Sequence, residues 1–380
     1  MAPQRGLVAP PPENDPALAI DQVLDERGVA DPARVPRLSP NECMRIYRWM
    51  LLARTADERL LALQRQGRIG FYAENKGQEA AIFGTAAALQ PDDWTVPALR
   101  ESWVAIFRGL PLRTYVAQIF GNKNDPSLGH QLPCHPGTRA SRHITMSSCI
   151  ASQIPHAVGL AYAAKVQKKA EVVIGYMGDG ATSEGDFHVA LNFAGVLRAP
   201  VVFVCQNNQW AISTPVERQT ASPTFAIKAL AYGIPGVRVD GNDVLAVYDA
   251  TRRAVEHARA GGGPAMIECL TYRVSAHSSS DDPSRYRDER ITEQWRKKDP
   301  IARFRTWLLS QGWLDAPTDE RLQTEVDAEI REAIAAEEEA APPALPTIVE
   351  QVFAEVPEHL REQLAELDGM PRQKLGGAHQ

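Results

Sequence analysis

From Val172 the chain runs Val-Val-Ile, then Tyr176 and Met177, a short apolar, partly β-branched run that stops at Gly178-Asp179-Gly180. Ended by glycines, it predicts a buried strand closing in a tight turn. Ala190, Phe193, Ala194 and Leu197 then recur at i, i+3, i+4 and i+7, one face of a helix. Pro200 stops that helix, and Val201 to Val204 is a second buried run that closes at Asn207-Asn208. A strand–helix–strand unit puts its strands parallel through a right-handed crossover. Asp179 and Asn208 then share the carboxyl-terminal edge of the sheet, where open α/β sheets bind ligands.

The flanking pattern extends this fold. Ser39-Pro40-Asn41-Glu42 is a helix start: serine cap, proline in the first turn, glutamate at the third position. The helix to about Gln66 offers Tyr47, Met50, Leu51, Leu60, Leu61 and Leu63 for packing. Arg65 to Ala81 is a loop entering a helix at Gly77-Gln78-Glu79, and Gly129 to Lys165 a loop leading into a small-residue helix. A short strand near Val237–Val239, a helix through about Arg259 and an alternating strand to Tyr272 complete an alternating α/β order. The fold class expected is α/β, a mostly parallel sheet with helices on both faces. Ser275 to Arg287 has no apolar period and predicts an exposed loop. Thr318 to Ala341 reads as a long acid-rich helix, and Ile348 to Leu367 as a final one carrying Val352, Phe353, Leu360 and Leu364. The expected layout is an arm over 1–38, ordered by lying on a neighbour, an α/β domain with helical extension over 39–340, and a linker and C-terminal helix over 341–380.

Composition narrows the partners. A net charge of −6 suggests no nucleic acid, and no apolar run approaches the roughly 18 residues that span a membrane. Five cysteines without a C-x-x-C suit a reducing compartment. The N-terminus lacks an apolar signal core and the Arg/Ser bias of a transit peptide, so a cytoplasmic protein is expected. Cys134, His135 and His143 fit no common zinc spacing.

The chemistry sits at the opening unit. An aspartate carboxylate and an asparagine carbonyl are hard oxygen ligands that suit Mg²⁺, which shares its shell with phosphate oxygens and water. Glycine turns let backbone N–H groups approach an anion, and a helix start there favours negative charge. Asp179 and Asn208 lie 29 residues apart, the span of one βαβ unit of about 30 residues. The stretch therefore asks for a magnesium-bound phosphate or diphosphate. A Walker A loop is excluded by the missing Gly-Lys-Ser/Thr, and a dinucleotide fingerprint by Ser183 where its third glycine or alanine belongs.

GDGATSEGDFH and QNNQWAISTP together resemble the thiamin diphosphate motif of 2-oxo acid dehydrogenases, and more narrowly the alpha subunit of their decarboxylating component. The likeness covers roughly residues 40 to 365. It implies a thiamin diphosphate-binding fold, with Mg²⁺ held by Asp179, Asn208 and the carbonyl of Trp210. Gly178, Gly180, Ala181 and Gln206 would line the same site. Arg100 matches a diphosphate-binding arginine, Ser148 a residue bonding the cofactor, and Ile150 one that supports its bent shape. Ser147, Cys149, Ser152 and Gln153 match a structural K⁺ site. The loop SAHSSSDDPSRYR resembles a phosphorylation loop in which His277 is the catalytic histidine, reaching the diphosphate and the reacting centre; the serine matching Ser278 is phosphorylated in mitochondrial relatives. Two positions depart from the pattern: Leu99, where relatives commonly carry tyrosine, and Ala276, where they often carry His or Pro.

The resemblance further implies a beta subunit supplying the glutamate that activates the cofactor, two alpha and two beta chains, and a lipoyl-bearing acyltransferase core. SSCIASQIP and HSSSDDPSRYR favour a branched-chain 2-oxo acid dehydrogenase. Pyruvate dehydrogenase and acetoin dehydrogenase are the alternatives within the family. A non-catalytic scaffold and a nucleotide-binding oxidoreductase are those outside it; neighbouring-gene reconstitution and an NAD titration discriminate them.

Overall fold

The computed structural model describes residues 15 and 17–371; the rest of the expected arm and the last residues of the tail lie outside the described residues. After β1 (Ile20–Asp21), helices α1 (Pro40–Arg65) and α2 (Glu79–Ala87) lead to β2 (Trp94–Val96). Helices α3 (Ser102–Phe107), α4 (Leu112–Phe120) and α5 (Gln153–Val166) precede β3 (Val173–Gly178). Then come α6 (Gly185–Leu197), β4 (Val201–Asn207) and a small hairpin of β5 (Trp210–Ala211) and β6 (Thr214–Pro215). β7 (Gly236–Asp240), α7 (Val244–Arg259) and β8 (Ala265–Leu270) complete the sheet. The chain closes with α8 (Glu289–Arg296), α9 (Pro300–Ser310), α10 (Ala316–Glu338), α11 (Thr347–Glu350) and α12 (Glu358–Asp368).

The six sheet strands run in the order β1-β7-β8-β4-β3-β2, and every pairing is parallel. Alternate side chains of the central strands feed two separate cores. Val172, Ile174, Tyr176, Val202 and Val204 pack with α1, α2 and α7, whereas Val173, Met177, Val201 and Phe203 pack with α5 and α6. Burial on both faces explains why these strands read as continuous apolar runs. The same reasoning corrects β8: the alternation expected there is absent, and Ala265 to Cys269 are all buried because the strand lies between β7 and β4.

α1 begins as expected, with a reciprocal capping box between Ser39 and Glu42. Four expectations fail. α6 buries Phe187, Ala190, Leu191 and Ala194, one register away from the face predicted, and leaves Val189, Phe193 and Val196 exposed. The described part of the arm lies on this chain's own sheet: Ile20–Asp21 pairs with β7, and the Val23 and Leu24 N–H groups donate to Asp243 at 2.6 Å each. The 275–287 loop is half-buried over most of its first half. The final helix is two pieces, α11 and α12, separated by the non-helical residues 351–357, with Pro357 at the N-cap of α12. Among the described residues no helix is long and apolar enough to cross a membrane, and all five cysteines are free.

Candidate functional site

β3 and β4 pair in register with Gly178 opposite Gln206, so the turns after them are neighbours at the carboxyl edge. Asp179 starts a short 3-10 turn to Ser183, and α6 begins only at Gly185. The helix start expected at the glycine turn is therefore displaced along the chain. What the turn does provide is a close approach. A Cβ on Gly180 would sit 2.6 Å from the Ala211 Cβ, so a side chain there would push the Asn208–Ile212 turn away. That turn holds Gln209 at φ 72° and Ile212 at φ 54°, left-handed values that cost a non-glycine residue free energy.

A cavity of about 490 Å³ opens at this edge. It brings together Arg100, Ser147, Ser148, Ile150 and Gln153 with Gly178, Asp179, Gly180, Ala181, Gln206, Asn208, Trp210 and His277. Cys149 and Ser152 are not part of its lining. They join Ser147 on the adjoining turn, where Ser152 Oγ lies 3.0 Å from Ser147 Oγ and 2.7 Å from the Cys149 carbonyl. The Gln153 amide donates to the Tyr176 carbonyl at 3.0 Å.

Asp179 is 2% exposed, and its Oδ2 has no hydrogen-bond partner. Burial lifts its carboxyl from 3.8 to about 6, against the pull of the Gln219 side chain and the Gly180 and Asn208 backbone amides. A buried carboxylate oxygen without a donor is costly and fits a cation. The Asn208 side chain is held at both ends: Nδ2 donates to Gln78 Oε1 at 3.0 Å, and Oδ1 accepts from the Trp210 N–H at 3.2 Å. Among the described residues no cluster of three or more His, Cys, Asp and Glu could hold a metal. A metal here would complete its shell from amide and ligand oxygens, the habit of Mg²⁺ on a phosphate.

Arg100 is buried, and burial lowers it to about 10. Its guanidinium donates to the Glu74 carbonyl and, at 2.7 Å, to the His277 carbonyl. It thus ties the loop after β2 to the His277 loop. That loop is braced further by Asp281, which accepts from the His277 N–H at 2.7 Å and from the Tyr286 hydroxyl. Tyr286 in turn accepts from Arg273 at 2.7 Å. Arg287 donates to the carbonyls of Arg273, Val274 and Ser275. These bonds are why a segment of serines and aspartates is half-buried. Burial, then Arg100 and Arg273, lower the His277 ring to about 4, so it is neutral at pH 7 with its lone pair available.

Sequence reasoning missed Glu101, Gln78, Arg273 and the cavity role of His135. Glu101 lines the cavity, is pushed up to about 7 by burial, and accepts from Gln206 Nε2, whose Oε1 is left unpartnered. The run Arg100-Glu101, a charge pair in an otherwise apolar stretch, was the signal available.

The dehydrogenase E1 component family matches residues 47–345 of the chain. The chain is 43% identical over 344 residues (90% of it, 73% of the relative) to 2-oxoisovalerate dehydrogenase subunit alpha 2, mitochondrial, of Arabidopsis thaliana. It is 42% identical over 348 residues, 91% of its length, to the corresponding mitochondrial alpha subunits of Mus musculus and Homo sapiens, covering 79% and 78% of those proteins. These relatives are mitochondrial proteins, which overturns the cytoplasmic placement expected from the N-terminal composition.

Proposed function

Since this chain belongs to the dehydrogenase E1 component family, we propose that it is the alpha subunit of a branched-chain 2-oxo acid dehydrogenase. The reaction is oxidative decarboxylation of a 2-oxo acid with transfer of the acyl group to a lipoyl arm. The observation that carries the reading is the unpartnered Asp179 Oδ2 in a cavity also lined by Asn208, Arg100 and His277.

Thiamin diphosphate, when bound, supplies the ylid and electron sink that decarboxylation needs. The chain's residues bind and orient. Asp179, Asn208 and the Trp210 carbonyl would hold Mg²⁺, neutralising the diphosphate. Gly180 would let the turn approach the diphosphate closely, and Arg100 would add positive charge to the same cavity. Ser147, the Cys149 carbonyl, Ser152 and Gln153 would hold K⁺ and fix the turn that carries Ser148 and Ile150. His277, neutral and braced at its backbone, takes or gives a proton at its ring. Ile150 is 62% exposed, and α6 turns Val189, Phe193 and Val196 outward. Surfaces of that kind on a half-site favour closure by a beta subunit, with a lipoyl-bearing core as acyl acceptor.

Calorimetry on the assembled alpha–beta protein tests the reading. Asp179→Ala should abolish Mg²⁺-dependent thiamin diphosphate binding; unchanged binding would refute it.

A further inference from the structure

We infer that His135 is a positioning residue: it turns the Ser148 hydroxyl so that the oxygen faces the bound cofactor as a hydrogen-bond acceptor. His135 is 4% exposed and lines the cavity beside Ser148. Both ring nitrogens are engaged. Nδ1 lies 2.9 Å from the Pro133 carbonyl, and Nε2 lies 2.8 Å from Ser148 Oγ. A carbonyl can only accept, so Nδ1 carries the hydrogen. In the neutral ring the lone pair is then on Nε2, and the Ser148 hydroxyl donates to it. Its one hydrogen is committed to the protein side. What Ser148 offers the cavity is lone pairs.

The backbone is shaped for this arrangement. Cys134, between Pro133 and His135, is buried and holds φ 68°, a left-handed conformation for a residue with a Cβ. That turn lets the Pro133 carbonyl meet the ring of the residue two positions on. The Ser102 hydroxyl fastens it by donating to the Cys134 carbonyl at 2.9 Å. Strain held by surrounding contacts next to a cavity is characteristic of functional positions.

An acceptor at Ser148 selects a ligand group that bears N–H or O–H. A 2-oxo acid anion carries neither. Thiamin diphosphate carries an amine on its pyrimidine ring. The Ser148–His135 pair thus serves the cofactor rather than the substrate, a role that rests on the function proposed above.

The test is a double-mutant cycle on the assembled alpha–beta protein, reading thiamin diphosphate Kd by calorimetry together with kcat and KM. Ser148→Ala and His135→Leu should each weaken cofactor binding by about tenfold, the worth of one net hydrogen bond. The double variant should be no worse than either single one. His135→Gln, whose Oε1 can accept from Ser148, should stay within about threefold of wild type. Should His135→Leu fail to assemble, His135→Asn, too short to reach Ser148, takes its place in the cycle. Multiplicative effects in the double variant, or equal damage from Gln and Leu, would overturn the inference. So would an effect on substrate KM with cofactor Kd unmoved. Absence of turnover by the wild-type protein on every 2-oxo acid would count against the proposed function, and the binding cycle would still decide the role of His135.

Discussion

Replacing Asp179 by Asn should stabilise the cofactor-free protein while removing the proposed cation ligand. The carboxyl is buried, one oxygen lacks a donor, and burial holds it at about 6 in place of 3.8. In the unfolded chain it ionises around 3.8; in the folded chain it keeps its proton to about 6. The unfolded state therefore releases the proton first. Folding loses free energy as pH rises between those values, and the loss is constant above them. The lift corresponds to roughly 3 kcal/mol at pH 7.5. Asparagine has the same shape without the charge. Asp179→Asn should raise the guanidinium midpoint at pH 7.5, and the gap should shrink toward pH 4. With Mg²⁺ and thiamin diphosphate present the order should reverse, because only wild type gains binding free energy. Tryptophan fluorescence at two pH values, with and without ligands, reads all four conditions. An Asp179→Asn protein no more stable than wild type at pH 7.5, with a gap indifferent to pH, would refute the claim that uncompensated burial governs this group.

Other positions give further expectations. Arg100→Lys cannot bridge the Glu74 and His277 carbonyls at once; it should free the 275–287 loop, seen as faster proteolysis there, and weaken cofactor binding by about tenfold. His277→Gln should lower kcat by about a hundredfold or more. The neutral-to-low His277 ring also costs stability as pH falls from 6.5 toward 4, and the Gln variant should lose that dependence in urea melts. Phe193→Asp on the exposed α6 face should leave the circular dichroism of the chain unchanged yet prevent assembly with a beta subunit in size-exclusion chromatography.

What the sequence disclosed was local or periodic. The Ser39–Glu42 box, the Gly178–Gly180 turn and the runs of β3 and β4 each carry their own cause within a few residues. So Asp179 and Asn208 could be placed on one sheet edge, and the remaining cavity positions could be matched through motif resemblance. The face of α6 could not. Ala190 and Ala194 belong to both apolar stripes, and only the packing of α5 and β4 selects Phe187 and Leu191 over Phe193 and Leu197. The half-burial of the His277 loop depends on Arg273 reaching the Tyr286 hydroxyl and Arg287 the Ser275 carbonyl, which no composition rule reveals. Glu101 and His135 gain their surroundings from Gln206 and Ser148, partners set by the fold.

The function of this chain is that of a branched-chain 2-oxo acid dehydrogenase alpha subunit. Its most direct test is initial-rate kinetics of the chain co-expressed with its beta partner, using an artificial electron acceptor, with 2-oxoisovalerate and pyruvate compared. Thiamin diphosphate- and Mg²⁺-dependent turnover is expected, with kcat/KM for 2-oxoisovalerate at least about tenfold above that for pyruvate, a side-chain difference of two methyl groups. Preference for pyruvate, or turnover that survives without Asp179, would contradict it.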